Sequence, residues 1–119
     1  MTSYEMAIEL AKALDTKKGN DIKVLKTEEV TTLADYFVLC TGTSSTQVKA
    51  MSDACEEAME KRGEQVHHIE GHRDCAWLLM DFSYVIVHVF TDEARKFYDL
   101  ERLWADAQEI DLSEIVVEG

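Results

Sequence analysis

His67, His68, His72 and Cys75 fall within nine residues of one another. Imidazole nitrogen and thiolate sulfur are the usual ligands of zinc, so this cluster is the first place to look for a metal. Adjacent His67 and His68 point to opposite faces of an extended segment and do not converge easily, which favours polar strand and turn residues over a metal site. A second candidate is the passage Gly42-Thr43-Ser44, between a strand-like and a helix-like segment. A helix N-terminus there would present backbone N–H groups to an anion. The passage has neither the Gly-Lys-Ser/Thr of a P-loop nor a Gly-x-Gly-x-x-Gly pattern. Metal-assisted nucleotidyl transfer would further need paired carboxylates on a neighbouring strand. Asp53 instead falls in a helical stretch, and Asp81 ends its strand with no acidic neighbour two residues away. Cys40 and Cys55 sit in apolar patterns, where burial raises a thiol pKa and leaves it inert. These residues do not compose an enzyme, and no cofactor is expected.

The elements that would carry them can be read from periodicity and punctuation. Thr2 or Ser3 caps a first helix running to about Lys18, with Tyr4, Ala7, Ile8, Ala11 and Leu14 on one face and Gly19-Asn20 as its stop. Asp21 to Thr27 reads as a strand with one wet side. Tyr36 to Thr41 is almost wholly apolar, as a central strand buried on both faces should be. Ser44-x-x-Gln47 is a capping-box pattern opening a second helix with the stripe Val48, Met51, Cys55, Ala58 and Met59, and Gly63 stands where a left-handed cap would end it. Strand-like runs follow at 65–70, 76–81 and 85–90, the last two close enough to form a hairpin. Thr91 caps a third helix whose first turn carries Asp92 and Glu93, and Asp99 restarts a short one through Leu100, Leu103 and Trp104. This order predicts an α/β fold with a mixed five-stranded sheet and flanking helices, in a single domain over 1–107. Residues 108–119 form an acidic and apolar C-terminal tail whose order the sequence leaves open.

The stretch from 77 to 104 is the most informative. Alternation divides the hairpin into Trp77, Leu79, Asp81, Ile86, His88 and Phe90 on one face, and Leu78, Met80, Val85, Val87 and Val89 on the other. The aliphatic set suits a face under helices. The mixed set reads as a face awaiting a partner. Arg95-Lys96-Phe97-Tyr98-Asp99-Leu100-Glu101-Arg102-Leu103-Trp104 then adds the Tyr, Trp and Arg that dominate interface hot spots. The competing reading is that the same aromatics complete a small core.

Composition narrows the partner. The 119 residues include 24 acids and 12 bases, a formal charge of −12. Neutralising phosphates takes clustered Lys and Arg, so direct binding to DNA or to an anionic membrane is not expected. No apolar run approaches the roughly 20 residues of a membrane span, and three scattered cysteines suit a reducing, cytoplasmic setting. The acidity is uneven. Residues 1–63 carry 11 acids and 8 bases, and residues 64–119 carry 13 acids and 4 bases. The excess therefore sits in the half that holds the aromatic face, where charge alone suits plain solubility or the steering of a basic protein partner.

Several ordered blocks resemble one known family. Ala34-Asp35-Tyr36-Phe37-Val38, Gly42-Thr43-Ser44-x-x-Gln47-Val48, Glu70-Gly71, Trp77-x-Leu79-x-Asp81, His88-Val89-Phe90 and Arg95-x-Phe97-Tyr98-x-Leu100-Glu101-x-Leu103-Trp104 look like the ribosomal silencing factors, RsfS or Iojap-like. The resemblance implies a nucleotidyltransferase-like α/β domain without the catalytic acids. It implies a translational repressor that binds the fourteenth protein of the large ribosomal subunit and blocks joining of the small subunit, with homodimers off the ribosome. The positions it implies for partner binding are Trp77, Leu79, His88, Phe90, Arg95, Tyr98, Leu100 and Trp104. Physically, such a surface would bind through a few aromatic anchors, with Arg95 and nearby acids pairing across a polar rim. Ser83-Tyr84 departs from the Gly-Asp common in the family and leaves the hairpin turn type open. A nucleotidyltransferase-like enzyme and a module that only homodimerises are the rival readings.

Overall fold

A computed structural model describes residues 1–71 and 76–113, the side chain of Leu103 excepted. The elements in order are α1 (Ser3–Thr16), β1 (Asn20–Lys26), β2 (Tyr36–Gly42), α2 (Ser45–Glu60), β3 (His68–Glu70), β4 (Trp77–Asp81), β5 (Val85–Thr91), α3 (Asp92–Tyr98), the single turn α4 (Leu100–Leu103) and β6 (Gln108–Glu109). The sheet runs β3-β4-β5-β2-β1-β6. Only β2 and β5 pair in parallel, and the other neighbours are antiparallel. Among the described residues, six strands therefore replace the five expected. The sixth lies past residue 107, where Gln108 and Glu109 pair with Lys26 and Leu25, and the Ile110 N–H donates to the Val24 carbonyl at 2.8 Å. Two polar residues give no hydrophobic period, so this strand is invisible to alternation.

β2 is buried at all seven positions, as its continuous apolar run requires of a strand with layers on both sides. On one side α1 and α2 cover Ile22, Val24, Val38, Cys40, Leu78, Met80, Val85, Val87 and Val89. Here lies the main core, and it contains the whole aliphatic set of the hairpin. Met6, Leu10 and Ala13 join the predicted α1 face, while Tyr4 stays 42% exposed beside the Tyr36 ring. On the other side a smaller core of Leu25, Phe37, Leu39, Phe90 and Ala94 is closed by Leu100 and Trp104.

The local signals resolve with some changes of residue. Thr2 caps α1 in a reciprocal box with Glu5. The helix stops at Thr16, because Lys18 rather than Gly19 takes the left-handed conformation, with φ 58°. Gly19 is needed for space: a Cβ there would lie 2.3 Å from the Cys40 sulfur. Ser44 caps α2 by accepting the Gln47 N–H at 3.1 Å. Gln47 does not complete the box. Its carbonyl accepts from Thr43, and its amide donates to the Lys17 and Lys18 carbonyls at 3.0 and 3.2 Å, tying α2 to the end of α1. Gly63 has φ 78°, as expected of the cap after α2. The run from 65 shortens to the three-residue edge strand β3.

Candidate functional site

In-register pairing places side chains on the α3/α4 side of the sheet in rows. Glu70 stands opposite Leu79, Leu79 opposite His88, His88 beside Leu39, and Leu39 opposite Lys23. Trp77 pairs with Phe90, and Asp81 with Ile86, in the rows on either side. α3 and α4 cover the β2 and β5 part of this face. The Trp104 ring meets Phe37 edge-on at 5.2 Å. Apart from the contact of Tyr98 with Trp77, these helices leave the β3–β4 part uncovered, so Trp77, Leu79 and Asp81, with Ile86 of β5 beside them, stay only half-buried, and His68 and Glu70 are exposed at the edge. Tyr98, 50% exposed, extends the strip with its ring 4.4 Å from Trp77, and Phe97 projects beside it at 81% exposure. The result is an apolar aromatic strip bordered by carboxylates.

Of the eight positions the resemblance implies, the strip contains Trp77, Leu79 and Tyr98 directly. Leu100 and Trp104 are half-buried in the layer over Phe37. His88, Phe90 and Arg95 are buried, at 5%, 1% and 7% exposure. They hold the face from beneath.

His88 is the support for Trp77. The indole Nε1–H donates to His88 Nδ1 at 3.2 Å, which fixes the neutral imidazole with its proton on Nε2. Burial depresses the His88 pKa from 6.5 to about 4, keeping the ring neutral. Phe37, Trp77 and Phe90 surround it, at ring separations of 5.2, 5.9 and 5.9 Å.

Arg95 departs from expectation. It does not face outward to pair across a rim. Its Nη1 donates to the Asp21 carbonyl at 2.7 Å and to Thr41 Oγ1 at 2.8 Å, and its Nε donates to Glu101 at 2.8 Å. Nη2 lies 3.5 Å from the Asp21 carboxylate. Glu101 also takes Lys23 Nζ at 2.6 Å, and the bonds from Arg95 and Lys23 hold its carboxyl below the usual range. Four elements meet at this guanidinium: β1, β2, α3 and α4. The backbone adapts to it, since Asp21 sits at φ 49° where the β1–β2 register shifts, and Asp99 at φ 47° turns the chain from α3 into α4. Left-handed turns and an internal buried arginine carry no periodic signal, and sequence reasoning missed this node.

The other candidates do not assemble. Asp53 lies exposed on α2, paired with Lys49 at 2.7 Å, on the layer opposite Asp81. Asp81 accepts the Ser83 N–H at 2.7 Å within the hairpin turn. Ser83 has φ 81°, so it adopts the left-handed geometry that glycine would supply at that turn. Cys40 and Cys55 are buried, which pushes the Cys40 pKa up to about 12 and raises that of Cys55 as well. His67 and His68 are exposed, and His68 Nε2 bonds Glu70 at 2.8 Å. His72 and Cys75 lie outside the described residues. Among the described residues, no helix is long and apolar enough to cross a membrane.

Comparison with known proteins converges on one family. The family model described as "Ribosomal silencing factor during starvation" matches residues 1–118. The ribosomal silencing factor RsfS of Bacillus subtilis is 40% identical over 86% of this chain and 86% of its own. That of Halalkalibacterium halodurans is 31% identical over 98% of this chain and 99% of its own. Chloroplastic Iojap of Zea mays is 33% identical over 89% of this chain and 46% of its length. A crystal structure of a Chromobacterium violaceum protein superposes with a TM-score of 0.86 at 33% identity, covering 95% of this chain and 93% of that one.

Proposed function

Because the chain belongs to the ribosomal silencing factor family, we propose that it represses translation by seating its uncovered β4 strip on the fourteenth protein of the large ribosomal subunit. Bound there in the cytoplasm, the domain stands between the large subunit and the small one. Exclusion of this kind needs no covalent step and no cofactor. The kinship to nucleotidyltransferases implied by the resemblance would then be one of architecture alone.

The observation that carries the reading is the strip itself. Trp77, Leu79, Ile86 and Tyr98 form a contiguous, half-covered apolar surface bordered by Glu70 and Asp81. Buried aromatic anchors within a polar rim are the anatomy of a protein interface, and the acidic rim selects a basic protein surface. In this reading Trp77 and Tyr98 are the anchors, and His88, Phe90 and Arg95 keep them in place.

The test is retention of purified large subunits. Trp77→Ala and Tyr98→Ala should each weaken binding by about 2 kcal/mol, roughly thirtyfold in Kd. A double variant that retains subunits as well as the parent chain would overturn the placement. A second copy of this chain is the other occupant that the same face could take. Sedimentation with and without large subunits separates the two, because a dimer built on this strip must dissociate as subunits are added.

A further inference from the structure

One cavity lies on the strip and is not explained by docking in general. It measures about 130 Å³ and is lined by Glu70, Gly71, Trp77 and Leu79. Its shape depends on Gly71, which has φ 83° and sits so close to β4 that a Cβ would fall 2.0 Å from the Trp77 carbonyl oxygen. β3 therefore ends by pressing its backbone against the start of β4, with the opening beside Trp77. Two of the walls are apolar, Trp77 and Leu79. Glu70 supplies a carboxylate at the edge of the sheet, directly opposite Leu79 in register, with its Oε1 already bonded to His68 Nε2 at 2.8 Å. Trp77 spends its own N–H inward on His88, so its polar edge is not the part turned to this opening.

We propose that this cavity is a socket for one arginine side chain of the docked protein. Its planar guanidinium would lie against the Trp77 ring while donating to the Glu70 carboxylate. A guanidinium suits an aromatic face and a carboxylate together better than an ammonium does, and it sheds water more readily. Leu79 and the edge of Trp77 suit the methylene stem. This rests on the docking reading above and sharpens it. It makes Glu70 the residue that selects a cation, a role the interface aromatics alone do not provide.

Two arms test it. In the first, the isolated protein is titrated with arginine amide and, separately, with uncharged norleucine amide, following the Trp77 indole N–H and the Gly71 N–H by NMR. Saturable shifts with arginine amide, absent with norleucine amide and absent in Glu70→Gln, are expected. Equal responses to both probes, or none, would overturn the socket even if ribosomal subunits are retained. In the second arm, Glu70→Gln should weaken binding to purified large subunits about tenfold and flatten its dependence on salt. An unchanged Kd and salt slope would also overturn the socket. A parent chain that ignores large subunits yet gives the arginine response overturns the docking reading and leaves the socket standing.

Discussion

Replacing His88 by Phe should remove a specific part of the protein's acid sensitivity. The imidazole is held neutral by burial, with its pKa lowered from 6.5 to about 4. In the unfolded chain it would titrate near its ordinary value. A folded pKa below the unfolded one means that the unfolded state binds the extra proton first. The associated stability is complete above about pH 6.5 and is lost as pH falls towards about 4. Taking those two values, the loss is about 2 kcal/mol at pH 5 and about 3 kcal/mol at pH 4. The proton must go to Nδ1, which breaks the bond from the Trp77 indole at 3.2 Å, so the loss also loosens the strip. Urea denaturation at several pH values, for the parent chain and for His88→Phe, isolates the contribution. Carboxylates such as Glu101, whose lowered pKa gives stability that disappears only at more acid pH, cancel in the difference. The stability gap between parent and variant should therefore narrow, or reverse, by about 2 kcal/mol between neutral pH and pH 5. Parallel pH profiles for the two proteins, or a His88 NMR titration midpoint near 6.5, would refute the reasoning.

Arg95→Met should cost about 3 kcal/mol in urea unfolding, because it strands the buried Thr41 hydroxyl, the Asp21 carbonyl and part of Glu101. A loss below about 1 kcal/mol would mean that the guanidinium does not pin α3 and α4 to the sheet. Ser83→Gly should stabilise the chain by up to about 1 kcal/mol by relieving the left-handed conformation at φ 81°. A lowered urea midpoint would show that the side chain offsets that strain.

Where one physical signal dominated, the sequence was legible. Tyr36 to Thr41 had to be central because no solvent face can be drawn through it. The hairpin divided correctly by parity because a period of two leaves no freedom once one residue is placed. The mixed set proved to be two things at once: Phe90 and His88 finish a small core, while Trp77 and Leu79 remain open beside it. Alternation cannot separate these, since both lie on one face and only the reach of α3 and α4 distinguishes them. Arg95 misled for a related reason. An arginine is usually exposed, and its partners Asp21 and Thr41 are 74 and 54 residues away. The edge strand β6 is two exposed polar residues with no periodic signal of their own, and the Ile110 and Leu112 that follow it pack against the main core.

The distribution of charge acquires two separate meanings once the acids are placed. In the C-terminal half, Asp92 and Glu93 stand in the first turn of α3, Asp81 and Asp111 accept backbone N–H groups in turns, and Glu101 is neutralised by Arg95 and Lys23. These carboxylates have local duties, so their number does not measure what a partner would touch. Their charge still adds to the long-range field of a chain at −12, and that field governs how fast a basic surface is found. Glu70 has a local partner too, His68 at 2.8 Å, but it also lines the cavity beside Trp77. Removing an acid remote from the strip, such as Glu57 on α2, should act only through the field and slow association. Removing Glu70 should hasten dissociation, because in the proposed socket its carboxylate meets the bound cation where that cation would be desolvated. Net charge and contact charge are thus different quantities in this protein. The sequence alone shows the first, and the second rests on the socket proposed at Glu70.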